Sequence, residues 1–222
     1  MNSELDSDKF ELLYVIINRG SGSKILRAAK HHSISGGTIV FARGTAHHGI
    51  LSYLGLSDTK KEIVFLAADR QKALQLLLDL NNEFDFSKPN HGIAFSIPIS
   101  SIKGSKNTTD SNKNNEKRDG DSIMYQMITA IVDKGKAEDV VSAAEKAGSR
   151  GGTVVNARGS GAHETSKLFS MEIEPEKQIV IILAKVDVAK NIVNSIKDEL
   201  KMDEPGNGIV YTQPVDKAFG IR

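Results

Sequence analysis

"GGTVVNARGSGAHE" at residues 151–164 has a counterpart 115 positions earlier, "GGTIVFARGTAHHG" at 36–49, and the two agree at eight of fourteen positions. Each places two glycines before a β-branched run, then Arg-Gly, then a histidine. Such a run reads as a strand entered from a tight approach and left through a loop. The repetition extends outward from this stretch. "INRGSGSKILRAAKHHSISGGT" (17–38) answers "VDKGKAEDVVSAAEKAGSRGGT" (132–153). After one inserted residue, "KEIVFLAAD" (61–69) answers "KQIVIILAK" (177–185), and "NHGIAFSIPIS" (90–100) answers "GNGIVYTQPVD" (206–216). The chain therefore writes one fold unit twice.

Both copies carry the same order of elements. ELLYVII (11–17) and MYQMITAIV (124–132) are β-rich runs. In the helix that follows the second run, Ala137, Val140, Val141, Ala144 and Ala147 fall on one face, and Gly148 suits its left-handed cap. TIVFA and TVVNA read as second strands, EIVFLAA and QIVIILA as third strands. A second helix is expected after an N-cap at Asp69 or Asp187. Its buried face is expected to carry Leu74, Leu77, Leu78 and Leu80 in one copy, and Val188, Ile192, Val193 and Ile196 in the other. GIAFSI and GIVYTQ close the units. The order β-α-β-β-α-β predicts an α+β chain of two tandem ferredoxin-like domains, each with helices on one face of a four-stranded antiparallel sheet. Strand residues are apolar on both faces, so the sheets are expected to pack together in an oligomer.

Residues 103–121, KGSKNTTDSNKNNEKRDGD, hold no aliphatic or aromatic side chain. The organisation read from the chain is a disordered tail at 1–9, a first domain at 10–102, a flexible polar linker at 103–122 and a second domain at 123–222. The 222 residues carry 29 Lys+Arg against 28 Asp+Glu, a net charge of +1. That balance gives no general attraction to nucleic acid or to anionic lipid. The absence of cysteine excludes disulfides, thiolate nucleophiles and cysteine–zinc sites. The polar, acidic start and the lack of a membrane-length apolar run lead to the expectation of a cytoplasmic protein.

Three features of the second repeat resemble the P-II nitrogen-regulatory signalling family, and the first repeat matches it more weakly. "GGTVVNARGSG" (151–161) is similar to the family's second strand and the base of its long T-loop. "GNGIVYTQPVDKA" (206–218) is similar to its B-loop, last strand and proline-bearing run. "GIR" (220–222) is similar to a shortened arginine-containing C-terminal segment. The resemblance implies a non-catalytic regulator that forms a trimer, binds ATP or ADP in clefts between neighbouring domains, and signals through its T-loops to an enzyme, a transporter or a transcription factor. It implies that Thr153 faces the adenine, with Gly159, Gly161 and His163 at the T-loop base. Gly206, Asn207 and Gly208 would wrap the phosphates, and Arg222 would stand for the C-terminal arginines. Glycines suit a phosphate cradle because they let backbone N–H groups approach oxygens closely.

Departures narrow the implied ligands. Ala162 and His163 stand where the family has arginine and glutamine, which argues against magnesium-bridged 2-oxoglutarate. Ile209 and Asn207 replace a B-loop lysine and aspartate. The third-strand lysine falls at Glu176 or Lys177. In the first repeat Asn90-His91-Gly92 occupies the place of Gly206–Gly208, and Ile93 that of the lysine. Plainer readings stand beside these. The glycine pairs also suit close helix–strand packing, Arg43 and Arg158 suit ion pairs, and Asn-Gly suits an ordinary turn. A ligand-free assembly protein, a trimeric metal-handling protein of the divalent-cation tolerance type, and an acylphosphatase using Arg19 in "INRGSGSK" (17–24) share the same fold plan.

Overall fold

The computed structural model describes residues 10–34, 36–45, 59–99, 124–158, 166–168, 171–173 and 175–221. In chain order the elements are β1 (Phe10–Asn18), α1 (Gly22–His31), β2 (Thr38–Gly44), β3 (Thr59–Asp69), α2 (Arg70–Phe84) and β4 (Ile93–Ile99). The same six-element order, with a hairpin inserted after its second strand, follows as β5 (Tyr125–Asp133), α3 (Ala137–Lys146), β6 (Thr153–Arg158), the hairpin strands β7 (Ser166–Leu168) and β8 (Met171–Ile173), then β9 (Glu176–Lys185), α4 (Val186–Glu199) and β10 (Ile209–Val215), with β11 (Lys217–Phe219) last. The chain is thus α+β, and each half has the ferredoxin-like order that its sequence periods predict. The hairpin β7–β8, pairing Ser166 with Ile173 and Leu168 with Met171, and the strand β11 are additions the sequence pattern did not announce.

By contacts the residues fall into two units. One takes the described parts of Met1–Val40, Glu62–Met124 and Pro214–Arg222, and the other those of Phe41–Lys61 and Tyr125–Gln213. In the first unit the strand order is β2-β3-β1-β4-β11. β1 and β4 pair antiparallel from Phe10↔Ile99 to Ile16↔Ile93. One face of the sheet meets α1 and α2 in a core of Leu13, Val15, Ile17, Ile25, Val64, Leu66, Leu76, Leu77 and Leu80. The opposite face is apolar and buried as well, at Ile16, Ile63, Phe95 and Ile97. There Tyr14 stacks on Phe95 and meets Phe65 edge-on, both with centroids 4.8 Å apart.

In the second unit the order is β10-β5-β9-β6. β5 and β9 pair from Tyr125↔Lys185 to Asp133↔Lys177, and β6 and β9 from Thr153↔Ile181 to Arg158↔Glu176. Ile128, Ala130, Val132, Val140, Ala144, Val180, Ile182, Ile192 and Ile196 form the helix-side core. Ser195 on α4 donates to the Ala143 carbonyl of α3 at 2.7 Å, tying the two helices.

Two helix expectations need correction. α4 begins at Val186 with Lys185 as its N-cap, so Asp187 lies in the first turn, where its charge still favours the helix N-terminus. Asp69 is the N-cap of α2, but its side chain makes no capping bond and instead meets Lys72 at 3.0 Å. On α2 the buried residues are Ala73, Leu76, Leu77 and Leu80, and Leu78 is 45% exposed. Gly148 takes φ +100° just beyond α3, as its role at the helix end requires.

Candidate functional site

The residues that the resemblance assigns to a ligand fall on two elements of the second unit. Thr153 opens β6, is only 6% exposed, and lies opposite Ile181 of β9. Gly206, Asn207 and Gly208 form the turn that leads into β10. β9 and β5 lie between β6 and β10 in the sheet, so the two groups are parted by three strand spacings, about 14 Å across the sheet, and are offset along the strands as well, Thr153 lying level with Thr129 of β5 and Gly208 over Ile131. A single small ligand held by both would need a surface beyond this sheet. Gly159, Gly161, His163 and Arg222 lie outside the described residues.

The turn before β10 is built by its own residues. The Asn207 side-chain amide donates to the Lys201 carbonyl at 3.0 Å and to Glu204 Oε2 at 3.3 Å. Gly206 has φ +95°, and a Cβ there would meet nothing within 4 Å. Gly208 has φ +112°, and a Cβ there would come within 2.5 Å of the Ile131 carbonyl oxygen. The first repeat repeats the constraint, since a Cβ on Gly92, at φ +126°, would lie 2.6 Å from the Ile16 oxygen. Gly208 and Gly92 are therefore demanded by the passage of the turn over the first strand. Gly206 is the glycine of the trio whose surroundings are open. In the first repeat, His91 Nδ1 lies 2.8 Å from the Phe84 carbonyl oxygen, and Asn18 donates to the Asn90 carbonyl at 3.2 Å.

The second glycine of each Gly-Gly-Thr run has a packing role. A Cβ on Gly37 would sit 2.5 Å from Leu66 Cδ2 and 2.6 Å from Leu26 Cδ2. One on Gly152 would approach the Ile181 oxygen at 3.2 Å. Gly152 is also held by Thr45: its N–H donates to Thr45 Oγ1 at 2.8 Å, and its carbonyl accepts from the Thr45 hydroxyl at 3.0 Å and the Thr45 N–H at 2.9 Å. Arg43, next to this contact, pairs with Glu138 at the start of α3. Lys177 pairs with Asp133 and Glu176 with Lys134, so both candidates for the third-strand lysine position engage an opposite charge on the neighbouring chain segment.

Two buried side chains went unnoticed in the sequence. Glu62, 6% exposed, accepts hydrogen bonds from the N–H groups of Gly20 at 3.0 Å and Gly22 at 2.8 Å. Its counterpart Gln178, 8% exposed, accepts from Gly135 at 2.9 Å and Ala137 at 3.3 Å. Each third strand thus reaches across to satisfy the N-terminus of the first helix. The signal available was Glu or Gln at the same repeat position, a pair that shares an acceptor oxygen and differs in charge. The arrangement also decides against an anion loop at "INRGSGSK". Its amides already serve a carboxylate, whose charge would repel a phosphate.

Among the described residues no group of three or more His, Asp or Glu side chains could hold a metal ion. His32 Nε2 meets Asp79 at 2.9 Å, and His47, His48 and His163 lie outside the described residues. No described helix is long and apolar enough to cross a membrane.

Residues 125–222 match the model of the family described as nitrogen regulatory protein P-II. The nifHD-region GlnB-like protein 1 of Methanothermococcus thermolithotrophicus is 31% identical over 100 residues, which cover 44% of this chain and 93% of that protein. A P-II homolog of Arabidopsis thaliana is 31% identical over 108 residues, covering 46% of this chain and 55% of that one. Among solved structures, Arabidopsis thaliana PII bound to citrate aligns at 27% identity over 41% of this chain and 74% of that one, with a TM-score of 0.31. The B. subtilis GlnK–ATP complex aligns at 14% identity over 45% of this chain and 97% of that one, with a TM-score of 0.34. Identity of 31% across nearly the full length of a GlnB-like protein, on a chain whose halves both fold as β-α-β-β-α-β, places this protein in the P-II family.

Proposed function

We propose that the chain is a non-catalytic P-II-type regulator of nitrogen or related metabolism. It senses an adenine nucleotide, ATP or ADP, or a smaller metabolite, and signals through the loops that follow β2 and β6. In this reading the working assembly is a homo-oligomer, a trimer of two-repeat chains, acting in the cytoplasm on an enzyme, a transporter or a transcription factor. The observation that supports the reading is the position of Thr153 at the start of β6 and of Gly206–Gly208 in the turn before β10. Residues parted by two strands of one sheet serve one ligand when sheet edges of neighbouring domains face each other. Gly206, with an open left-handed backbone, supplies the close approach a phosphate oxygen needs.

The ligand set is narrower than a magnesium–triphosphate sensor's. Ile209, 57% exposed, brings no cation to the turn, and His163 replaces the glutamine expected at a magnesium site. Each missing charge-assisted contact weakens binding by roughly 1–3 kcal/mol, or about one to two orders of magnitude. A diphosphate or monophosphate therefore loses less here than a triphosphate does. Calorimetric titration of the full chain with ATP, ADP, AMP and 2-oxoglutarate, with and without magnesium, tests this. Heat from an adenine nucleotide that is insensitive to magnesium and weakened by Gly206→Ala is expected. Silence from every ligand would sink the sensing role.

A further inference from the structure

The turn before β10 makes two demands on its sequence. One is glycine at 208, where φ is +112° and a Cβ would come within 2.5 Å of the Ile131 carbonyl oxygen. The other is a side chain at 207 that reaches back to the end of the preceding helix. Asn207 does so through its amide nitrogen, which donates to the Lys201 carbonyl at 3.0 Å and to Glu204 Oε2 at 3.3 Å. Lys201 lies just past α4, in the left-handed region at φ +50°. The Glu204 N–H donates to the same Lys201 carbonyl at 3.0 Å, so Asn207 ties both ends of one turn.

The first repeat meets the same demands with different chemistry. Gly92 answers to Gly208, and its Cβ would lie 2.6 Å from the Ile16 oxygen. His91 answers to Asn207, and its Nδ1 lies 2.8 Å from the carbonyl oxygen of Phe84, the last residue of α2. Asparagine followed by glycine is a reactive pair, because the glycine has no side chain to shield its main-chain nitrogen from the neighbouring amide carbon. Histidine followed by glycine has no such reaction. Residues 207–208 are the only Asn-Gly in the chain.

We propose that Asn207 is a site of spontaneous deamidation, with water as the co-reactant and no enzyme needed. The Gly208 nitrogen gives up its proton and bonds to Asn207 Cγ. The Cγ–Nδ2 bond breaks, and the side-chain nitrogen leaves with that proton as ammonia. Water then opens the resulting cyclic imide at either carbonyl. One opening gives aspartate, and the other gives isoaspartate, with the main chain rerouted through the former side chain. Nothing is oxidised or reduced, and the sum is amide plus water to acid plus ammonia.

The fold keeps this pair together and accessible. Gly206 and Asn207 are both exposed, and a Cβ at Gly206 would meet nothing within 4 Å. A bulkier residue at 208, which would slow ring closure, is barred by the Ile131 carbonyl. The product then undoes the tie that asparagine made. A carboxylate has no hydrogen to donate, so the Lys201 carbonyl and Glu204 both lose their donor. The new charge also faces that of Glu204. The isoaspartyl form adds a main-chain methylene beside Gly208, where the Ile131 oxygen leaves no slack. The second repeat thus carries a turn of finite chemical lifetime, and the first repeat a turn without one. This inference goes beyond the sensing role and does not depend on any ligand.

The test uses the full chain, held natively at mildly alkaline pH and digested with trypsin. The peptide 202–217, bounded by Lys201 and Lys217, is expected to gain one mass unit and to separate into two products. One of them should accept methyl groups from an isoaspartyl methyltransferase. Conversion is expected to slow at acid pH, because the attacking nitrogen must lose its proton. Asn207→His, which installs the first repeat's residue, is expected to abolish the gain. Asn207→Asp is expected to lower the urea midpoint relative to fresh wild type. No gain from the native chain by the time the urea-unfolded chain has converted fully overturns the inference. Equal gain in the peptides that hold Asn156 or Asn191 overturns it as well, and an Asn207→Asp midpoint equal to wild type overturns the release of the turn.

Discussion

At the scale of single residues, the glycines of the second repeat divide by what surrounds them. Gly208 faces the Ile131 oxygen at φ +112°, so Gly208→Ala combines backbone strain with a steric clash. A loss of about 2–4 kcal/mol is expected, read as a lowered urea midpoint with unchanged slope. Gly206→Ala meets only the backbone penalty, about 1 kcal/mol, and is expected to weaken nucleotide binding while the fold persists. Gln178→Ala leaves the Gly135 and Ala137 amides without their acceptor and is expected to cost about 1–2 kcal/mol. Gln178→Glu reproduces the first repeat's own solution and is expected to be near neutral in the same denaturation assay. The sequence alone could not separate Gly206 from Gly208, because both read as a turn glycine or a ligand glycine. What parts them is the distance to another strand's carbonyl, which is a tertiary quantity.

At the scale of elements, periodicity carried most of the fold. α3 shows an unbroken three-four pattern, and of its expected face Ala137, Val140, Val141 and Ala144 are buried, while Ala147, at the C-cap, is partly buried. α2 was harder, because leucines at 74, 76, 77, 78 and 80 surround the helix and several faces satisfy the same period. Leu76→Ala is therefore expected to cost about 2–5 kcal/mol, whereas Leu78→Lys stays within about 0.5 kcal/mol, both measured by thermal unfolding. β11 left no such trace: three residues are too few for a period, and its stabilisation comes from Phe219 against the first unit's core and from the ladder to β4. Phe219→Ala is expected to destabilise the first unit by about 1–3 kcal/mol, the lower part of the aromatic range because the ring is partly exposed.

At the scale of the whole molecule, the internal repeat made the architecture readable and hid its most consequential departure. Two copies of one pattern suggest two pieces separable at the polar run 103–121, yet the first unit's sheet includes residues from the far end of the chain. A chain shortened to end at Asp216 is expected to show a lowered first transition in calorimetry, with the second unit's transition retained. The candidate site was legible only as residue types, since Thr153 and the turn before β10 are separated in the sheet by β9 and β5, and no spacing along the chain reports that. The placement of β11 also bears on biosynthesis. Ala94 and Phe219 are 125 positions apart in the chain, so the edge of the earlier-made repeat is sealed only after the later repeat has been synthesised. Until then β4 is an uncovered template in a nascent protein, most vulnerable to chaperone capture or misassociation during synthesis.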